Sequence, residues 1–180
     1  MKYIFAKAIF AVMIMTMFVG CGGTTPNTPQ LPITKQFRFD GVAFYFAETH
    51  SAEILYHTDK ELEALLNAKI VELLKEKNLF STDSAMNRLE VRASYIRTFA
   101  GDETPFPSDT LAYPRYAYKI EITDNTNLLR VFERRNLIFK GSFLTNLQAL
   151  SFSMRDKTHE VRFIDVFAQE IVENIEDLSK

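Results

Sequence analysis

The sequence predicts an α+β domain, a two-layer sandwich of β-α-β-β-β-α order with two helices on one face of an antiparallel sheet. Three observations predict it. Two segments repeat apolar residues at helical spacing, several others alternate apolar with polar residues, and runs of turn formers separate the segments. One-faced helices and half-polar strands pack most simply as one layer of each.

The first strand begins at Phe37. Phe37 and Phe39 share one parity and Val42, Phe44 and Phe46 the other, with Asp40-Gly41 between them. A phase change at an Asp-Gly step marks either a bulge within one strand or a turn between two short ones. Thr58 followed by Glu61 is a capping-box signature, in which each residue satisfies an amide of the other. Leu62, Leu65, Leu66, Ile70, Leu73 and Leu74 then share one helical face, and Asn78 stands where a left-handed terminating residue belongs. The spacing predicts a helix over about 59–77. Leu89, Val91, Ala93 and Tyr95 alternate with polar residues, as do Tyr116, Tyr118, Ile120 and Ile122. Asp124-Asn125-Thr126-Asn127 reads as a hairpin turn, after which Leu129, Val131 and Phe132 resume a strand. Residues 137–144 continue that strand or begin another. Ile164, Phe167, Ala168, Ile171, Ile175 and Leu178 define the last helix, with Asp156 or Thr158 as its cap.

Composition narrows the function classes. The chain has 180 residues, a formal net charge of −2, 47% apolar residues and one Cys. Near-neutrality gives no charge argument for a nucleic-acid partner, and one Cys cannot build a disulfide framework or a Cys-based zinc site. His50, His57 and His159 share no helical i, i+4 spacing, so neither a metal nor a cofactor is expected, and all three read as surface groups. The turn at 124–127 offers oxygen ligands but lacks the spaced oxygens and terminal Glu of a calcium loop. No Gly-x-Ser-x-Gly elbow or His-Glu-x-x-His helix occurs, and Gly41, Gly101 and Gly141 are too few and too scattered to cradle a phosphate. The expectation is a protein without catalytic residues.

Residues 1–20 read as a signal peptide: Lys2 and Lys7 form a basic start, and Ala8 to Val19 an apolar run interrupted only by Thr16. That run is short of the ~20 residues needed to span a bilayer. Residues 21–36 follow as a Pro/Thr-rich tether with Pro26, Pro29 and Pro32, and 37–180 as a single domain. Removal of 1–20 takes two lysines and no acid, so the formal charge moves from −2 to −4.

Two surfaces are candidates for binding. The segment 99–114 is long for a connection, and it carries Asp102, Glu103, Phe106, Asp109 and Tyr113 among three prolines. Long ordered loops often carry function, and Phe106 and Tyr113 would be its anchors for a partner. The second is a cationic sheet face of Arg92, Lys119 and Arg130, with Arg97, Arg115, Arg134 and Arg135 nearby. It would suit an anionic glycolipid or an acidic partner, whereas the interleaved Glu90, Glu121 and Glu133 point to cross-strand ion pairs.

The sequence Phe18-Val19-Gly20-Cys21 resembles the lipobox of bacterial lipoproteins. The resemblance implies cleavage before Cys21 and acylation of that residue with palmitate-class chains, which anchors the domain to a membrane. Gly22 after the Cys, rather than Asp, implies the inner leaflet of the outer membrane, with the domain facing the periplasm. Lipobox, tether and element order together resemble the lipopolysaccharide-assembly lipoprotein that plugs an outer-membrane translocon barrel, and more loosely the envelope lipoproteins with anticodon-binding-like domains. No binding residue carries over. The expectation is an envelope lipoprotein that serves as an interaction or assembly module for another envelope protein. The alternatives are a module for lipopolysaccharide or another amphiphile and, third, an enzyme of unrecognised type.

Overall fold

The computed structural model describes residues 32–105, 108–124, 127–139 and 154–180. The signal segment, Cys21 and the tether up to residue 31 lie outside the described residues, as does 140–144 of the segment 137–144. The elements are β1 (Phe37–Glu48), α1 (Asp59–Glu76), β2 (Phe80–Ser81), β3 (Asn87–Arg97), β4 (Arg115–Thr123), β5 (Leu128–Ile138) and α2 (Lys157–Leu178). The α+β class and the helix positions follow the sequence pattern. The sheet has the order β2-β1-β3-β4-β5.

It is a mixed sheet, not an antiparallel one. β1 pairs in parallel with both β2 and β3, while β3–β4 and β4–β5 are antiparallel. The cause is α1. It carries the chain back along β1, so β3 enters beside β1 in the same direction, as a helical crossover requires. The Asp40-Gly41 step is a bulge inside one continuous strand, with the register shifting between Phe39 and Val42. Gly41 takes φ +131°, and the Val42 amide freed by the bulge donates to Asn67 Oδ1 of α1 at 2.7 Å.

Both helices begin and end as their sequences direct. At α1 the Glu61 amide donates to Thr58 Oγ1 at 3.2 Å and the Thr58 amide to Glu61 Oε2 at 2.7 Å. Asn78 has φ +56°, with its amide on the Lys75 carbonyl and the Leu79 amide on the Leu74 carbonyl, which stops the helix in a left-handed cap. Asp156 caps α2 by accepting from the Thr158 amide at 2.8 Å. Leu62, Leu66, Ile70 and Leu74 of α1 and Phe163, Phe167, Ile171 and Ile175 of α2 face the sheet. They fill the space between the layers with Leu89, Val91, Tyr95, Tyr118, Ile120 and Ile122. Ahead of β1, Ile33 packs on this core and the Thr34 amide donates to Asn87 Oδ1 at 2.7 Å.

Candidate functional site

Parity along the strands divides the predicted site residues between two faces. In β3 the buried positions are Asn87, Leu89, Val91, Ala93, Tyr95 and Arg97, so Arg88, Glu90, Arg92, Ser94 and Ile96 point away from the helices. The register continues this outer face through Lys119 and Glu121 of β4 to Glu133 and Val131 of β5. Arg92 and Lys119 therefore lie side by side. Arg130 does not join them: it pairs with Ile122, which is wholly buried, so it belongs to the helix-facing side. Arg97 is likewise turned inward, and Arg134, opposite Tyr118, lies over the Phe132 ring at 5.8 Å.

The cations of the outer face are matched by acids. Arg92 lies 3.3 Å from Glu121 and 3.8 Å from Glu90, Lys119 lies 2.6 Å from Glu121, and Arg88 bridges Asp40 and Glu90 at 3.1 and 3.2 Å. The face is a lattice of alternating charge, as the interleaved glutamates foretold, and not a cationic strip. Beside it the side chains are small. Ser94 pairs with Tyr45 on one side and Ala117 on the other, and with Ala43 they floor a shallow trough of about 510 Å³. Tyr45, Leu128, Val131 and Ile138 stand on this face with more than half their surface in water.

The 99–114 segment is tied to the body at many points. Asp102 Oδ2 accepts from the Phe99 amide at 2.7 Å and from the Thr49 hydroxyl. His50 lies between two acids, with Nδ1 3.2 Å from Asp102 and Nε2 3.3 Å from Asp109. The Tyr56 hydroxyl reaches the Asp109 carbonyl, and the Leu111 amide donates to the Met154 carbonyl at 2.9 Å. Asp102 and Asp109 thus hold the segment to the β1–α1 connection and are not displayed to a partner. Tyr113 is half-buried against Phe139 and Phe163, at ring separations of 5.8 and 6.5 Å, and is not a free anchor. Glu103 is exposed, and Phe106 lies outside the described residues.

Charge at His50 follows from this geometry. Burial opposes protonation, but the hydrogen bonds and charges of Asp102 and Asp109 outweigh it and raise the imidazole above its usual 6.5. For Asp102, burial acts to raise the carboxyl, and the Phe99 amide, Thr49 and His50 together bring it below its usual 3.8. The Thr49 hydroxyl is bonded to the carboxylate and not to the imidazole, which is not the nucleophile-to-base order of an activated hydroxyl.

A second polar cluster lies deeper. Glu160 of α2 has no exposed surface; it accepts from Arg97 Nε at 2.8 Å and the His57 amide at 2.9 Å, and lies 3.0 Å from His57 Nδ1. Arg97 Nη1 donates to Glu48 at 2.8 Å and Nη2 to the His57 carbonyl, with the guanidinium over the rings of Phe46 and Tyr56. Burial, followed by the Glu160 charge, pushes the Tyr56 hydroxyl up to about 12. The reading of all three histidines as surface groups is corrected: His50 and His57 are drawn in by carboxylates from a distant part of the chain, and the His159 side chain is only 11% exposed. Two sequence signals pointed to the deeper cluster. Arg97 keeps the inward parity of Leu89 to Tyr95, and Glu160 precedes Ile164 by one helical turn on the apolar face of α2.

No family model matches the chain, and no curated protein does. Among solved structures it is similar to a minor lipoprotein from Acinetobacter baumannii, at 15% identity and a TM-score of 0.42 over 81% of this chain and 94% of that one. It is also similar to rare lipoprotein B from Shewanella oneidensis, at 13% identity and a TM-score of 0.30 over 78% of this chain and 100% of that one. At these values neither likeness bears on what the chain binds or does.

Proposed function

We propose that the chain is a lipid-anchored bacterial envelope lipoprotein, held by acylated Cys21 at the inner leaflet of the outer membrane, whose domain docks another envelope protein without catalysing a reaction. The observation that carries the docking role is the outer face of the sheet, on which no helix packs among the described residues. Both helices lie on the opposite side, and on this one Tyr45 stands exposed at the border of a trough that Ala43, Ser94 and Ala117 line. An apolar hollow rimmed by charged side chains, here Arg92, Lys119 and Glu133, is a common setting for docking. The non-catalytic reading draws support from the histidines: His50 and His57 both join carboxylates that hold segments of the fold together.

The trough supports a second reading, in which the acyl chain of an amphiphile lies over Ala43, Ser94 and Ala117 with Arg92 and Lys119 at its headgroup. The filled core between helices and sheet speaks against a ligand taken up inside. Photocrosslinking in intact cells, with the probe at position 45 or 131, tests both readings. A protein adduct of defined mass is expected, a lipid adduct would favour the second reading, and no adduct above that from a probe at exposed Lys60 would remove the sheet face from the proposal. The anchor is tested separately: Cys21→Ser is expected to abolish palmitate labelling and release the chain from membranes.

A further inference from the structure

We infer that the outer edge of β1 is a second binding site, which takes an extended basic peptide of a partner protein as an added strand. It rests on observations other than those behind the sheet-face reading, although Phe44 and Tyr45 border both surfaces. On that edge β1 pairs only with the two-residue strand β2, at Phe37 and Arg38. Beyond them no strand lies beside β1 on that side among the described residues. The Val42 amide faces Asn67 on that edge, and the Thr49 amide bonds the Arg97 carbonyl on the opposite side, toward β3. Since backbone groups alternate along a strand, Phe44, Phe46 and Glu48 direct their N–H and C=O outward, toward the open side. From Phe44 to Glu48 that is an unpaired template of about five residues, or ~17 Å at 3.3 Å each.

The edge also has a groove beside it. A cleft of about 550 Å³ runs between this stretch of β1 and the start of α1, with Phe44 and Phe46 on one wall and Tyr56 and His57 on the other. Its ionisable groups set the partner's chemistry. Glu48, Asp59 and Glu63 line it, and the one lining guanidinium, Arg97, is already shared between Glu48 and the buried Glu160. Asp59 and Glu63 have no ion-pair partner among the described residues. The cleft therefore carries net negative charge beside Phe44 and Phe46, which fits a strand with Lys or Arg at alternate positions.

The other edge of the sheet makes the contrast. β5 places Arg130, Glu133, Arg134 and Arg135 along its length and kinks at Asn136, with φ +54°, features that discourage edge pairing. Between Val42 and Ala47, β1 has only Val, Ala, Phe, Tyr, Phe and Ala, without charge or proline.

The test uses the full chain in detergent with two blocked eight-residue probes, (Lys-Val)₄ and (Glu-Val)₄, followed by residue-resolved amide hydrogen exchange. The lysine probe is expected to slow exchange at Phe44, Phe46 and Glu48 and to leave the β5 amides unchanged, while the glutamate probe protects none of them. Glu63→Lys is expected to weaken the lysine probe severalfold with the fold intact, as judged by unchanged exchange in the core of α2. Equal protection by both probes, protection confined to β5, or no binding of the lysine probe would each overturn the inference.

Discussion

Arg97 Nε donates to Glu160 Oε1 at 2.8 Å, joining the end of β3 to the first turn of α2 where Glu160 is closed off from water. With one partner gone, the other is left as a buried charge, a loss of about 3–5 kcal/mol. Glu160→Leu and Arg97→Leu are each expected to lower unfolding free energy in urea by that order. The double variant is expected to be more stable than the sum of the single losses predicts, because both charges leave together. Additive losses would mean that the two groups do not act as a pair.

The bulge at Asp40-Gly41 depends on two residues from different elements. Gly41 sits at φ +131°, where a side chain is strained, and a Cβ there would also meet Asn67 Oδ1 at 3.4 Å. Gly41→Ala is expected to cost about 1–3 kcal/mol. Asn67→Ala, which leaves the Val42 amide without its acceptor, is expected to cost about 1–3 kcal/mol. Thermal melts of the two variants and their combination check this, with the combination expected to fall short of the sum.

Local order was legible in the sequence wherever a short-range rule governs it. The Thr58/Glu61 box, the left-handed Asn78, the Asp156 cap and the alternation of β3 all reflect interactions within a few residues. What escaped the sequence was set by distant pairing. The parallel β1–β3 contact depends on the direction in which α1 returns the chain, and His50 and His57 find their acids 52 to 103 positions away. Arg130 was misplaced for a related reason. Its face is fixed by its register against Ile122, which a single strand's own pattern of Leu129, Val131 and Phe132 leaves ambiguous.

The charge lattice on the outer face permits a clean separation of binding from stability. The cations that pair with Glu121 are themselves partly exposed, Arg92 at 60% and Lys119 at 33%, and ion pairs at a protein surface contribute about 0–1 kcal/mol each. Arg92→Ala with Lys119→Ala is expected to shift the melting temperature by only a few degrees. If that face docks a partner, the same variant lowers the yield of crosslinks from a probe at position 45. A fully retained yield would move the docking surface away from these two residues.

The clamp on the 99–114 segment has a pH window whose limits come from His50 and Asp102. The folded imidazole is raised, so its contribution is complete below about 6.5, the unfolded value, and is lost as pH rises through the higher folded value. The folded Asp102 carboxyl is lowered, so its contribution is complete above about 3.8 and is lost as pH falls through the lower folded value. Both act together in mildly acidic solution. Amide exchange at Phe99, which is bonded to Asp102, and at Leu111, which is bonded to Met154, reports whether the segment is docked. Protection at both is expected to be greatest between about pH 3.8 and 6.5, after correction for intrinsic exchange rates, and to decline as pH rises through the raised value of the folded imidazole while the core of α2 stays protected. His50→Gln, which keeps hydrogen-bonding capacity but cannot be charged, is expected to lower protection within that window and to abolish the decline above it. If the decline persists in His50→Gln, another group sets the alkaline limit and the imidazole is not the clamp.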